Sequence, residues 1–100
     1  MLLQRDRYLI AAFRKIFRWE KRRKECKKIG ICAKCREVTK DIHVDHINPV
    51  IDPKVGWQGW DIYYDRLFNG DLQPLCRPCH KIKTREENVE RKETRKQIKE

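Results

Sequence analysis

The apolar positions change period several times along the chain. Leu9, Ile10, Phe13, Ile16 and Phe17 recur at i, i+3, i+4 and i+7, with Arg14, Arg18, Lys21, Arg22 and Lys24 between and after them. This 3.6-residue period predicts one amphipathic helix over residues 4–28, its stripe on a core and its basic face outward. Gly30 is a helix stop, and "CAKC" (32–35) predicts a tight knuckle. "DIHVDHI" (41–47) alternates with the period of two of a strand, and Asn48–Pro49 closes it, because a residue before proline is held extended. Trp60, Tyr63, Tyr64 and Leu67 return to helical spacing, so "WDIYYDRLF" predicts a short helix covering the core. In "DLQPLCRPCHKIKT" (71–84), Pro74 and Pro78 leave room for a short strand at 71–75. A final helix follows from about Arg77, since proline is tolerated in a first turn. Past Thr84 only Val89 and Ile98 are apolar, so that end is expected in solvent, with Glu87 and Arg91 as an i,i+4 pair. The pattern is α+β: a basic N-terminal helix (1–28), a core (29–84) and a charged helical extension (85–100).

Composition sharpens this picture. Of 100 residues, 39% are hydrophobic and 40% charged, so the core must be thin and a chain this size needs a staple. The net charge of +10 is unevenly spread. Residues 1–28 carry 11 Lys/Arg against 3 Asp/Glu, residues 29–80 carry 6 against 7, and residues 81–100 carry 8 against 5. A nearly neutral centre between basic ends suits a polyanion, with nucleic acid first. No apolar run is long enough to cross a membrane, and the basic start lacks the hydrophobic stretch of a signal peptide. The expected setting is a reducing cytoplasm, where paired CxxC motifs hold metal more often than they form disulfides.

Cys32, Cys35, Cys76 and Cys79 make two such pairs. Four thiolates satisfy tetrahedral zinc with no open position, so the site is expected to be structural, with a disulfide as the alternative. It would clamp the strand arm to the final helix. Cys26 is left over and reads as a half-buried free thiol on the first helix. A second constellation lies inside the clamp: Asp45 and His46 in "HVDHIN", and His80 directly after a zinc ligand. On a helix His80 points about 100° away from Cys79 and shares a face with Lys83 and Thr84. Aspartate, histidine and water suit a hard or borderline divalent ion with open positions. Singly these residues are ordinary surface groups; held by one clamp they point to a site.

"CAKC", "VDHINPV" and "LQPLCRPCHKIKT" in this order resemble the HNH nucleases, which are built on the ββα-metal (His-Me finger) fold. The form, with "GWQGWDIYYDRLF" before the last motif, is similar to small HNH proteins of bacteriophages and mobile elements. The resemblance covers roughly residues 30–84. It implies a DNA endonuclease in which His46 is the general base that deprotonates the attacking water. Asp45 and His80 would hold one catalytic divalent ion, Mg2+ or Mn2+ or a substitute, and the four cysteines a structural Zn2+. It implies 5′-phosphate and 3′-hydroxyl ends, and a cytoplasmic place in a bacterial host cell.

The family's middle asparagine stands directly before "LQ", where this chain has Asp71; the nearest asparagine is Asn69. Asp71 can accept a hydrogen bond but donates no amide, so either Asp71 braces the loop or the loop presents Asn69, with Asp71 favoured. Arg14, Arg18, Arg22 and Lys83 are expected to grip the DNA backbone, giving salt-sensitive affinity without sequence information. His43, on the face of Asp45, reads as a surface histidine. The competing reading is a non-catalytic zinc module that only binds DNA or a protein; RNA binding rests on charge and aromatics alone. Homing, restriction and DNA packaging, with phage packaging proteins as partners, all remain open, as does the oligomeric state.

Overall fold

The computed structural model describes residues 2–99 of the chain. Four helices and two strands follow in the order α1 (Gln4–Phe17), α2 (Lys21–Lys28), β1 (Ile42–His46), α3 (Trp60–Asn69), β2 (Leu72–Cys76) and α4 (Arg77–Lys99). The fold is α+β, with one two-stranded antiparallel sheet. No helix among the described residues is long and apolar enough to cross a membrane.

The single helix expected over residues 4–28 is instead two. Arg18 and Trp19 turn, and Glu20 adopts an extended backbone (φ −63°, ψ 134°) as the cap of α2. No glycine or proline marks this break; tertiary packing sets it. The elbow lets α1 lie on an aromatic core while α2 turns onto β1 and β2. There the Arg22 guanidinium donates to the carbonyls of Phe68 (2.6 Å) and Gly70 (2.8 Å), satisfying the open end of α3. The stripe of α1 is also narrower than expected. Ile10, Phe13 and Phe17 pack inward, whereas Leu9 and Ile16 are exposed.

That aromatic core is built on Phe17, Tyr63 and Leu67, with Ile10, Phe13, Val50, Ile51, Trp57, Trp60, Phe68 and Leu72 against it. Trp60, Tyr63 and Leu67 cover the core as their spacing predicts, but Tyr64 faces solvent. A second, smaller core is made of Cys32, Leu75 and Cys76, with Cys79 beside it. Among the described residues eight hydrophobic side chains are buried, and two of them, Cys32 and Cys76, belong to the cysteine cluster of this second core.

In the sheet Ile42 faces Cys76, Val44 faces Pro74, Asp45 faces Gln73 and His46 faces Leu72. Pro74 has no N–H to give, which an edge strand tolerates. Its carbonyl accepts the Ala33 amide at 2.8 Å, docking the knuckle on β2. Within the knuckle Arg36 takes a left-handed backbone (φ 64°), turning the chain so that the Cys32 amide reaches the Glu37 carbonyl at 2.9 Å. From α4, Glu87 pairs with Lys83 rather than Arg91, which donates to Asn88. The side chain of Ile98 lies outside the described residues.

Candidate functional site

Two places carry the chemistry-bearing side chains. The first is the cysteine cluster. The knuckle brings Cys32 and Cys35, the end of β2 brings Cys76 and the first turn of α4 brings Cys79, all four sulfurs within 4.8 Å of one another. Cys35 Sγ and Cys76 Sγ are 3.6 Å apart. A tetrahedral zinc with bonds of about 2.3 Å sets its sulfurs about 3.8 Å apart, so the four fit such an ion. All five cysteines are free thiols in the structure. The cluster could hold a structural metal ion such as zinc, and among the described residues it is the one group of three or more potential ligands that converge. Burial alone would raise the Cys32 thiol, but the backbone amides of Cys76, Cys35 and Lys34 outweigh it and bring it down to about 6. Cys79 is pushed up to about 12, first by its hydrogen bond with Cys76 and then by burial. One thiolate thus forms readily while the Cys35 and Cys79 thiols resist; a dication in their midst would reverse that resistance.

The second place is the C-terminal end of β1. Neighbouring residues of a strand point to opposite sides, and here the two sides serve different partners. Asp45 turns toward α4: its Oδ2 accepts from Gln73 Nε2 at 2.9 Å and lies 3.0 Å from Lys83 Nζ. His46 turns toward α1 and α3. Its ring packs on Phe17 (centroids 4.9 Å apart), and its Nε2 lies 2.9 Å from the Leu67 carbonyl. A carbonyl only accepts, so Nε2 carries the proton and Nδ1 keeps its lone pair. Burial pushes the His46 pKa below 6.5, outweighing the contributions of the Leu67 carbonyl and Asp45. The imidazole is therefore neutral at pH 7.

Gly70 makes this placement possible. A side chain there would put Cβ 2.4 Å from the Arg66 carbonyl oxygen and 3.6 Å from His46 Cδ2, so only glycine lets α3 end beside the histidine. The Ile47 amide then bonds the Asp71 carbonyl at 3.0 Å, pinning β1 just beyond the site. The Asp71 bond to β1 is made by its backbone; its exposed side chain lies with Arg22, Cys26 and Leu72. Asn69 instead lines a groove of about 490 Å³ that also includes Asn48, Lys83 and Glu87. Its amide donates to Asp65 at 3.0 Å, away from His46.

His80 stacks on His43 at 5.1 Å with rings nearly parallel (16°). Asp45, His43, His80 and Lys83 thus share the α4 side of β1, and His46 lies on the other. His43 is partly exposed, as a surface histidine would be, while its Nε2 is buried without a hydrogen bond, 3.4 Å from Asp41.

Of the four basic side chains expected on the DNA backbone, Arg14 and Arg18 are exposed, while Arg22 and Lys83 are engaged within the protein. Lys83 donates to the His46 carbonyl (3.0 Å) and bridges Asp45 (3.0 Å) and Glu87 (2.5 Å), only 14% exposed. Burial would lower its pKa, but the bonds to Glu87 and Asp45 win and raise it. The partners Gln73 and Gly70 were invisible in the sequence, because strand register and close backbone approach are tertiary facts. Glu87 stands four residues from Lys83, but the spacing offered Arg91 equally and the packing chose Lys83. Cys26 is buried more deeply than expected, and burial raises its thiol pKa.

Comparison of the chain with protein-family models, curated proteins and solved structures gives no match.

Proposed function

We propose that the chain is a metal-dependent DNA endonuclease of the HNH type, with residues 29–84 as a ββα-metal unit. The observation that carries this reading is the state of His46. Its imidazole is neutral, its tautomer is set by the Leu67 carbonyl, and its ring is held by Phe17. A general base for phosphodiester hydrolysis has these properties. The antiparallel pair β1 and β2, joined through α3 and followed by α4, with a tetracysteine cluster tying the knuckle to the start of α4, supports the same reading.

In this reading the scissile phosphate lies across the C-terminal end of β1, where the pleat stops, and Nδ1 of His46 takes the proton of the attacking water from the side opposite Asp45 and His80. Asp45 and His80 would hold the divalent ion. The hydrogen bonds to Asp45 converge on Oδ2 and leave Oδ1 for a ligand, and a carboxylate with an imidazole is a donor pair suited to a hard or borderline cation, which would have to share Asp45 with Lys83. When bound, such an ion offsets charge on the scissile phosphate and the departing 3′ oxygen. Phe17 and Leu67 fix the ring against rotation, which keeps the base oriented. Zinc on the cysteines would hold the start of α4, and with it His80, against β1. Arg14 and Arg18 would meet the DNA backbone, and the action belongs to the cytoplasm of a bacterial host cell.

The test is plasmid nicking with Mg2+, Mn2+ or Ni2+, with and without chelator, by wild type and His46→Ala. Nicking that needs the ion and disappears in the variant is expected. Undiminished nicking by His46→Ala sinks the assigned base. One observation favours a second reading, a non-catalytic zinc-stabilised DNA-binding module: Lys83 already neutralises Asp45. Protein that binds DNA and never cuts it with any of the three ions establishes that alternative.

A further inference from the structure

The elbow between α1 and α2 carries a surface that the site at β1 does not use. Trp19 sits at its tip, 76% exposed, while Trp57 and Trp60 pack against each other and Tyr63 in the core. Lys24 Nζ stands 5.6 Å from the centre of the Trp19 ring. Lys15, Arg18, Trp19 and Lys24 together line a shallow dish of about 400 Å³ containing three cations and no anion. Beyond it, six of the eight residues of α2 are Lys or Arg.

An indole left in water gains by being covered, and the charge around this one selects an anionic cover. A lipid surface could also meet the exposed Tyr8, Leu9 and Ile16 of α1, but the cations of the dish crowd the indole itself, which suits a partner that carries its flat face and its anions together. A nucleic-acid strand supplies what the dish lacks: a flat base for the indole and phosphates for the cations. Lys24 covers one side of the ring, so one side remains for one base. In a duplex each base is already stacked and paired, so it can meet Trp19 only where it is unpaired.

We propose that Trp19, with Lys15, Arg18 and Lys24, is a binding seat for single-stranded or locally unpaired nucleic acid. It extends the nucleic-acid part of the function proposed above and is independent of its catalytic part.

The test uses the full chain, a fluorescein-labelled 15-nucleotide thymidine strand and a blunt duplex of equal length at one salt concentration. Base–aromatic stacking contributes about 1–3 kcal/mol, so Trp19→Ala is expected to bind the single strand roughly 5- to 150-fold more weakly. Its duplex affinity should change less than about 2-fold, and Trp19→Phe should keep most of the single-strand binding. Tryptophan emission should be quenched by the thymidine strand in wild type and not in Trp19→Phe, where the core tryptophans remain. Trp19 is exposed, so both variants should melt with wild type. Three results overturn the proposal: unchanged single-strand affinity in Trp19→Ala, equal loss on both DNAs, or quenching by phosphatidylglycerol vesicles without quenching by the strand. All binding is measured with chelator present, so the seat is read separately from ion-dependent nicking.

Discussion

Lys83→Met tests how far the candidate site is held by a single ammonium. Methionine keeps much of the stem and removes the charge. In the wild type that charge meets Asp45, Glu87 and the His46 carbonyl, with the two carboxylates only 13% and 19% exposed. Removing it leaves two shielded carboxylates facing one vacancy. Breaking a buried pair by deleting one partner costs about 3–5 kcal/mol, and the residual exposure here discounts that to about 2–4 kcal/mol. For a domain of this size the melting temperature should fall by roughly 10–25 °C. Adding Glu87→Gln to Lys83→Met should recover part of the loss, a coupling of about 1 kcal/mol or more in a double-mutant cycle. Urea denaturation at pH 7 measures both. The pKa of Lys83 is raised in the fold, so its contribution is complete below pH 10.5 and disappears as pH climbs through the raised value. A loss below about 0.5 kcal/mol for Lys83→Met, or strict additivity with Glu87→Gln, refutes the view that this ammonium organises the site.

Gly70→Ala forces a methyl against the Arg66 carbonyl at 2.4 Å, so α3 must shift away from His46; a loss of about 2 kcal/mol or more is expected in urea, accompanied by a changed His46 resonance in NMR. Stripping the metal from zinc-loaded protein with a strong chelator should unfold the half built on Cys32, Leu75 and Cys76 first, seen as loss of amide protection in β2 and the start of α4 before α1. The His46 pKa is depressed in the fold, so its neutral form contributes stability above pH 6.5 that is lost as pH falls through the depressed value. His46→Gln should therefore flatten the stability–pH curve in that range.

The elements were largely legible in the sequence, because period and punctuation are local. The strand at 41–47, the short helix in "WDIYYDRLF" and the start of α4 at Arg77 follow from alternation, 3.6-residue spacing and the two prolines. The meeting of the four cysteines was legible too, since two CxxC pairs can close into one four-sulfur cluster whatever folds between them. The break at Trp19–Glu20 was not, because nothing in "FRWEKRR" disfavours a helix; α2 turns there to meet the sheet and the end of α3. The residues of the site could be named from the chain, but not their arrangement. Asp45 and His46 are adjacent in sequence, yet the pleat sends one to Lys83 and Gln73 and the other to Phe17 and Leu67. Lys83 has the composition of a DNA-binding lysine; burial between two carboxylates makes it an internal counter-ion. Composition and spacing thus determined which side chains this protein carries and on which element each stands. Which of them stay free for a partner, and which spend their charge inside, was decided by how four helices close on two strands.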